Sequence, residues 1–481
     1  LRLQVFLNPM RKFIIYLLTF LLFSYCATNE ETVEEDTTTT TSTTTTIYIE
    51  VLEAVPEEEA VPEEEAVPEE EAVLNEYGQE ILEIGPEMKE QFDELISFVE
   101  KRTGLKFSEY PKYELYTLEG YRDYSVASYL DYLEEDFEEG EWERAALSEQ
   151  MWGLTTLSAD ELKDLYVTFQ RCASSGSYNL EDKTLRIPIK KNQKKFNLFE
   201  QSVLVHELTH TLQGQVVDLS GWYNEMKDAD DFSDYYGRRS IMEGQADLIQ
   251  ERWESGLDSY DRQTMQSQYP PSCGVTLPPY MYIPFDLYYG YGSLVVKGLY
   301  ENGGMEAIND ALSLLPTGEE IYKRSNTLTS EPYQEVEIND LEIEGYSLID
   351  EGTLDSLDLV YLLQGNTGIQ GPPIQAAIGL GGGAWKDYVD SRGALFMSLK
   401  ISGDNVNELN EIHDAFIDWA ESQDRFQEFI GGDWTGKLFI GETSFWIDND
   451  GDYVRMMLAL DNNLLKEVLS DCSSAPCKQD F

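Results

Sequence analysis

Val203-Leu204-Val205-His206-Glu207-Leu208-Thr209-His210-Thr211-Leu212 is the stretch on which the fold turns. Val203, Leu204, Leu208 and Leu212 recur at helical spacing around two histidines four residues apart, which predicts one helix over residues 198–213. At about 100° per residue the two imidazoles lie about 40° apart on one face, so both can reach a single ion. Glu207 is offset from that face. It stands where a general base must stand to hydrogen-bond a water activated by that ion.

The chain has three histidines, and two of them fall in this motif. A second helical stretch, expected over 238–253, carries Met242-Glu243-Gly244-Gln245-Ala246-Asp247. A catalytic zinc needs three protein ligands and an open position, and Glu243 supplies the third. Asp247 lies one turn further along the same face. A carboxylate that accepts the second N–H of a ligating imidazole fixes its tautomer, and Asp247 is expected to do this for His206. Gly244 and Ala246 are small and are expected to let the two helices approach closely. In a chain this acidic, the alternative for Glu243 and Asp247 is a solvated acidic face.

An HExxH helix followed by a Glu helix, with Asp four residues beyond that Glu, resembles the gluzincin metallopeptidases. The Glu-Gly-x-Ala run at Glu243 is similar to their compact members, and Tyr289-Gly290-Tyr291-Gly292 resembles the Tyr-x-x-Gly segment that follows the Glu helix. Met242 departs from thermolysin, the best-known member, which has Asn before the metal Glu. The longer outline resembles uncharacterised exported microbial lipoproteins bearing His-Glu-Leu-Thr-His. The resemblance implies an α+β, zincin-like core with a motif helix, a Glu helix and a small sheet. It also implies one zinc per chain on His206, His210 and Glu243, and hydrolysis of a peptide or protein substrate with Glu207 as general base. The donor to the developing oxyanion is expected to be Tyr289, with Tyr288 and Tyr291 as alternatives. Two strands around a turn at Glu181-Asp182, the second ended by Pro188, resemble the edge that binds extended substrate; a buried strand is the other reading. The competing functions are a non-catalytic, zinc-containing surface lipoprotein and a zinc hydrolase acting on a non-peptide bond.

The surroundings set the compartment. Asp and Glu number 91 against 34 Lys and Arg over 481 residues, a formal charge of −57 that repels nucleic-acid phosphates. Residues 1–26 read as a signal peptide: Met10-Arg11-Lys12, an apolar run over 13–23 too short to span a bilayer, and Cys26 placed as the acylated residue of a lipoprotein. Export to the cell surface is expected, with membrane attachment through Cys26 or free secretion as the alternatives. Residues 27–74 form a linker of threonines and three Ala-Val-Pro-Glu-Glu-Glu repeats that cannot bury a core. A helical region with the substrate-edge strand (75–197), the metallopeptidase core (198–335) and a C-terminal α/β region (336–481) follow. Ser158-Ala159-Asp160-Glu161 reads as a capping box. In an oxidising exterior Cys172, Cys273, Cys472 and Cys477 can form two disulfides.

Two further motifs are weaker. Asp448-Asn449-Asp450-Gly451-Asp452 resembles the start of a calcium loop, but Ala459 stands where a bidentate Glu is needed, so a turn is expected and weak Ca2+ binding is the alternative. His413, beside Glu411 and Asp414, reads as a surface histidine.

Overall fold

The structure, a computed structural model, describes residues 72–472 apart from 137–139, 173–174, 220, 223–234, 271–274, 315, 330–332, 365–371 and 432–433. The signal peptide, Cys26 and nearly all of the threonine and repeat linker lie outside the described residues. No helix among the described residues is long and apolar enough to cross a membrane.

Helix α1 (Pro86–Thr103) opens with proline in its first turn and closes at Gly104, whose φ of 74° is the left-handed conformation that glycine adopts freely. Met88, Phe92, Leu95 and Val99 recur every three or four residues, and that stripe is buried in one core with Leu204, Leu208 and Leu212. Strand β1 (Lys112–Thr117), helices α2 (Leu118–Asp136) and α3 (Glu141–Trp152), and helix α4 (Ala159–Cys172) follow. Ser158 and Glu161 cap α4 reciprocally: the Ser158 N–H donates to Glu161 Oε2 at 2.9 Å and the Glu161 N–H to Ser158 Oγ at 3.4 Å. Cys172 is disulfide-bonded; the side chains of the other cysteines lie outside the described residues.

Strands β2 (Ser177–Tyr178) and β3 (Thr184–Ile189) join β1 in a three-stranded sheet ordered β1-β3-β2. This corrects one expectation. Pro188 does not end its strand but sits within it, opposite Tyr116. Of the two strands expected to form an edge, β2 lies at the edge of the sheet, while β3 is the middle one, parallel to β1 along its whole length and antiparallel to β2 at Leu185 and Arg186. Five of its six residues are buried, so it is the buried strand of the two readings.

The motif helix α5 (Leu198–Val216) begins at Asn197, whose side chain accepts from the Glu200 N–H at 2.9 Å while Glu200 Oε2 accepts from the Asn197 N–H at 2.8 Å. The Glu helix α6 (Tyr235–Glu254) packs beside it. Helix α7 (Ser259–Gln266) and two short turns, Pro279–Tyr282 and Ile283–Phe285, lead into a π-helical segment, Asp286–Gly292, and helix α8 (Ser293–Ala311). Gly304, at φ 68° and ψ −157°, breaks α8.

Beyond helix α9 (Gly318–Tyr322) lies a seven-stranded sheet. It is built from β4 (Tyr346–Thr353), β5 (Leu380–Asp390), β6 (Leu395–Gly403), β7 (Gln427–Phe429), β8 (Lys437–Ile440), β9 (Ser444–Asn449) and β10 (Val454–Ala459). Every pairing in it is antiparallel. The C-terminal region is therefore α+β in character, with helix α10 (Ser356–Gln364) between β4 and β5 and helix α11 (Pro372–Ile378) after it. Helices α12 (Val406–Ser422) and α13 (Asn462–Cys472) complete the chain. Trp152 of α3 packs on Phe416 and Trp419 of α12 and on Phe445 of β9, so upstream helices and C-terminal sheet share one core.

The candidate calcium loop is the β9–β10 turn. Asp450 Oδ1 accepts from the N–H groups of Asp452 and Tyr453, Asn449 Oδ1 from that of Gly451, and Asp448 pairs with Arg455. Those oxygens serve the turn and its arginine, and the segment forms the expected strand-connecting turn. His413 pairs with Asp414 at the surface.

Candidate metal centre

Helix α5 carries His206 and His210 on the face toward α6, and α6 carries Glu243 opposite them. Glu243 Oε2 lies 3.3 Å from His206 Nε2 and 3.2 Å from His210 Nε2. The three side chains are 0–1% exposed, and their donor atoms lie within 4.8 Å of one another, a group that can hold a metal ion. Among the described residues no other cluster of His, Cys, Asp and Glu does so.

A cation fits because of what lies behind the histidines. His206 Nδ1 is 3.0 Å from Gln250 Oε1, and His210 Nδ1 is 2.9 Å from Gln213 Oε1. With each Nδ1–H donated to an amide oxygen, both Nε2 atoms turn a lone pair toward the Glu243 carboxylate, which also only accepts. His210 Nε2 makes no hydrogen bond to the described residues. Buried acceptors that converge without a donor need a proton or a metal ion between them.

The protonation tendencies agree. Burial by itself lowers the His206 pKa, but the hydrogen bond to Glu243 and the charges of Asp247, Glu207 and Glu243 outweigh it and raise it to about 9. Burial opposes ionisation of Glu243, yet His210, His206 and Arg239 hold its carboxyl well below the usual carboxylate range. The metal-free centre thus keeps a proton where an ion would sit.

Asp247 lies beside His206, as expected, but is not its nearest partner. Its Oδ1 lies 3.5 Å from His206 Nδ1, within ion-pair reach, but the shorter contact goes to Gln250, while Asp247 Oδ2 accepts from Ser293 Oγ at 2.8 Å. Burial pushes its pKa up to about 6, against the pull of His206 and the Ser293 hydroxyl.

Of the three tyrosines, Tyr289 reaches the centre: its ring centroid is 6.4 Å from that of His206, and the Glu243 charge acts on its hydroxyl. Tyr288 is buried beneath the Arg239 guanidinium, and Tyr291 packs on Tyr322. The π-helical turn makes this placement, since its wider winding inserts a residue into the helical ladder and re-aims the side chains. Gly244 meets this segment and not α5: a Cβ at Gly244 would stand 2.7 Å from the Gly292 carbonyl oxygen, and one at Gly292 would stand 2.4 Å from that of Ser240. The close approach expected between the two metal-binding helices is therefore between α6 and the Tyr289 segment. Glu207, 0% exposed, is buried within this region, close enough for its charge to act on His206.

Gln213, Gln250 and Arg239 were not singled out from the sequence. Each was legible in part: Gln213 and Gln250 lie two helical turns past His206 and Glu243, and Arg239 one turn before Glu243, all on the face of their ligands. No protein-family model, curated protein or solved structure matches the chain.

Proposed function

We propose that the protein is a gluzincin-type, zinc-dependent metallopeptidase, exported and anchored through Cys26 or secreted. The observation that carries this reading is the buried His206–His210–Glu243 group on two adjacent helices, with Glu207 next in sequence to the first ligand and the Tyr289 ring beside that of His206. Two imidazole nitrogens and one carboxylate oxygen make the three-ligand set that suits zinc with a fourth position open. When bound, zinc supplies a water acidic enough to react near neutral pH and polarises the scissile carbonyl. Glu207 takes the proton from the attacking water and passes it to the leaving amine. Tyr289 donates its hydroxyl proton to the oxygen on which negative charge develops. The family assignment rests on the motif resemblance, and peptide substrates follow from that assignment.

A second reading has its own observation. The ligands and Glu207 are all 0–1% exposed, the enclosure expected of an ion that ties α5 to α6 and performs no turnover. One experiment separates the two. The full chain is purified, its metal measured, and cleavage of a denatured protein mixture compared between wild type and Glu207→Gln. About one zinc in both proteins, with cleavage in the wild type alone, supports the peptidase. Zinc without cleavage in either favours the tying ion, and absence of zinc removes the metal centre.

A further inference from the structure

We infer that Gln213 and Gln250 are the residues that position the metal-binding histidines, holding each as an Nε2 ligand through neutral amides. The inference rests on the metal centre proposed above but not on peptide hydrolysis.

An amide can turn over and present either its oxygen or its nitrogen, so the direction of each glutamine has to be fixed by something that cannot turn. For Gln213 that anchor is a chain of side-chain amides. Gln213 Nε2 donates to the Met242 carbonyl oxygen and to Gln245 Oε1, both at 2.9 Å. Gln245 Nε2 donates to Asn309 Oδ1 at 2.9 Å, and Asn309 Nδ2 donates to the Thr103 carbonyl oxygen at 2.9 Å. Backbone carbonyls at Met242 and Thr103 can only accept, so reversing any one amide sets donor against donor or acceptor against acceptor. Gln213 must therefore turn Oε1 to His210, and His210 Nδ1 must carry the hydrogen. The chain links four helices, α5, α6, α8 and the C-terminal end of α1.

Gln250 is fixed from a different anchor. Its Nε2 donates to Ser202 Oγ at 2.8 Å and faces Glu254 Oε1 at 3.4 Å. The Ser202 hydroxyl spends its own proton on Glu254, so its oxygen is left to accept. Gln250 Oε1 is thereby turned to His206, and the same tautomer results.

Two glutamines on two helices, each oriented by an independent network, thus give one outcome for both imidazoles. A carboxylate in their place would pull harder on the Nδ1 hydrogen and make the imidazole a stronger donor to the ion. The amides keep the histidines as ordinary neutral ligands, which holds the ion less tightly and leaves it more electron-poor.

The test uses the full chain, stripped of metal and titrated with zinc against a coloured chelator. Thermal melting of the metal-free protein is followed in parallel. Gln213→Met and Gln250→Met remove the acceptor but keep the length of the side chain. Each is expected to weaken zinc binding by about 10- to 100-fold, the range for lost outer partners of metal ligands. Gln250→Glu restores an acceptor for the His206 Nδ1 hydrogen and is expected to bind zinc at least as tightly as wild type. A packing role would lower metal-free melting in all three and leave zinc affinity unchanged. Methionine variants that bind zinc like wild type overturn the inference, as does Gln250→Glu binding as weakly as Gln250→Met. Should Gln213→Met fail to fold, the two Gln250 variants decide the matter from the other helix. A wild type that takes up no zinc overturns the centre itself, a result read without any variant.

Discussion

Arg239 Nε stands 3.5 Å from Glu243 Oε1, the carboxylate oxygen not shared with the two histidines. Glu243 thus divides its charge between an arginine one helical turn before it and the space between His206 and His210. Arg239 is 3% exposed, lies over the Tyr288 ring and donates to the Tyr235 hydroxyl at 2.7 Å. Its one close carboxylate in the described ion pairs is that of Glu243. Removing one partner of a buried pair leaves the other charge uncompensated, which costs more than the pair itself contributes. Glu243→Gln is therefore expected to destabilise even the metal-free protein by about 3 kcal/mol. Urea unfolding after chelation measures this, and an unchanged midpoint would refute the pairing.

Gly244 gives a second prediction, because it lies next to a ligand and against backbone. A methyl group there would meet the Gly292 carbonyl oxygen at 2.7 Å and Val296 Cγ2 at 2.8 Å. Backbone cannot swing aside as a side chain can, so α6 or the π-helical segment must shift. Gly244→Ala is expected to cost about 1–3 kcal/mol, the range for overpacking, and to weaken metal binding by displacing Glu243. Gly290→Ala is the control, since a Cβ there meets nothing within 4 Å. Equal melting temperatures for the two variants would contradict the close approach.

How far the sequence carries these arguments depends on the range of the interaction. The grouping of the three candidate ligands was readable because one helix turn sets His206 against His210, and a second helix with a single well-placed Glu leaves few alternatives. The helix start at Ser158 is equally local. The middle position of β3 was not readable, since it depends on β1, a strand more than sixty residues earlier in the chain. That Gln250 lies closer than Asp247 to His206 Nδ1 was not readable for a subtler reason. Asp247 and Gln250, one and two turns beyond Glu243, lie on the same face, and only the packing of α6 on α5 decides which reaches Nδ1. The Tyr289 placement depends on a π-helical turn, for which helical periodicity gives no warning.

The buried carboxyl of Glu149 provides a pH test remote from the metal centre. It is 1% exposed and accepts from the Tyr280 hydroxyl at 2.7 Å; burial, opposed by that hydrogen bond, raises its pKa from 4.5 to about 8. A folded-state pKa above the unfolded one means that the native state binds the proton more tightly. This contribution is fully present below pH 4.5 and is lost as pH rises toward 8, at up to about 1.4 kcal/mol per pH unit. Glu149→Gln keeps an acceptor for Tyr280 and has no proton to lose. Its stability is expected to fall less than that of wild type between pH 5 and about 8, leaving it the more stable protein at the upper end. Parallel pH profiles of melting would show that Glu149 does not titrate in this range.

At the metal centre the proton and the ion compete for one place. In the metal-free protein His206 titrates near 9, above its ordinary 6.5, so at pH 7 it carries a proton on Nε2 as well as on Nδ1. The stability that this proton brings is fully present below pH 6.5 and is lost as pH rises through about 9. An ion can enter only as that proton leaves, because Nε2 cannot hold both. Zinc binding at pH 7 is therefore expected to release about one proton from His206, and zinc affinity to rise with pH until about 9. Calorimetric titration in buffers of different ionisation enthalpy counts the protons released. A heat of binding independent of the buffer would show that the metal-free centre holds no proton, and the convergence of acceptors at Glu243 would then need another explanation.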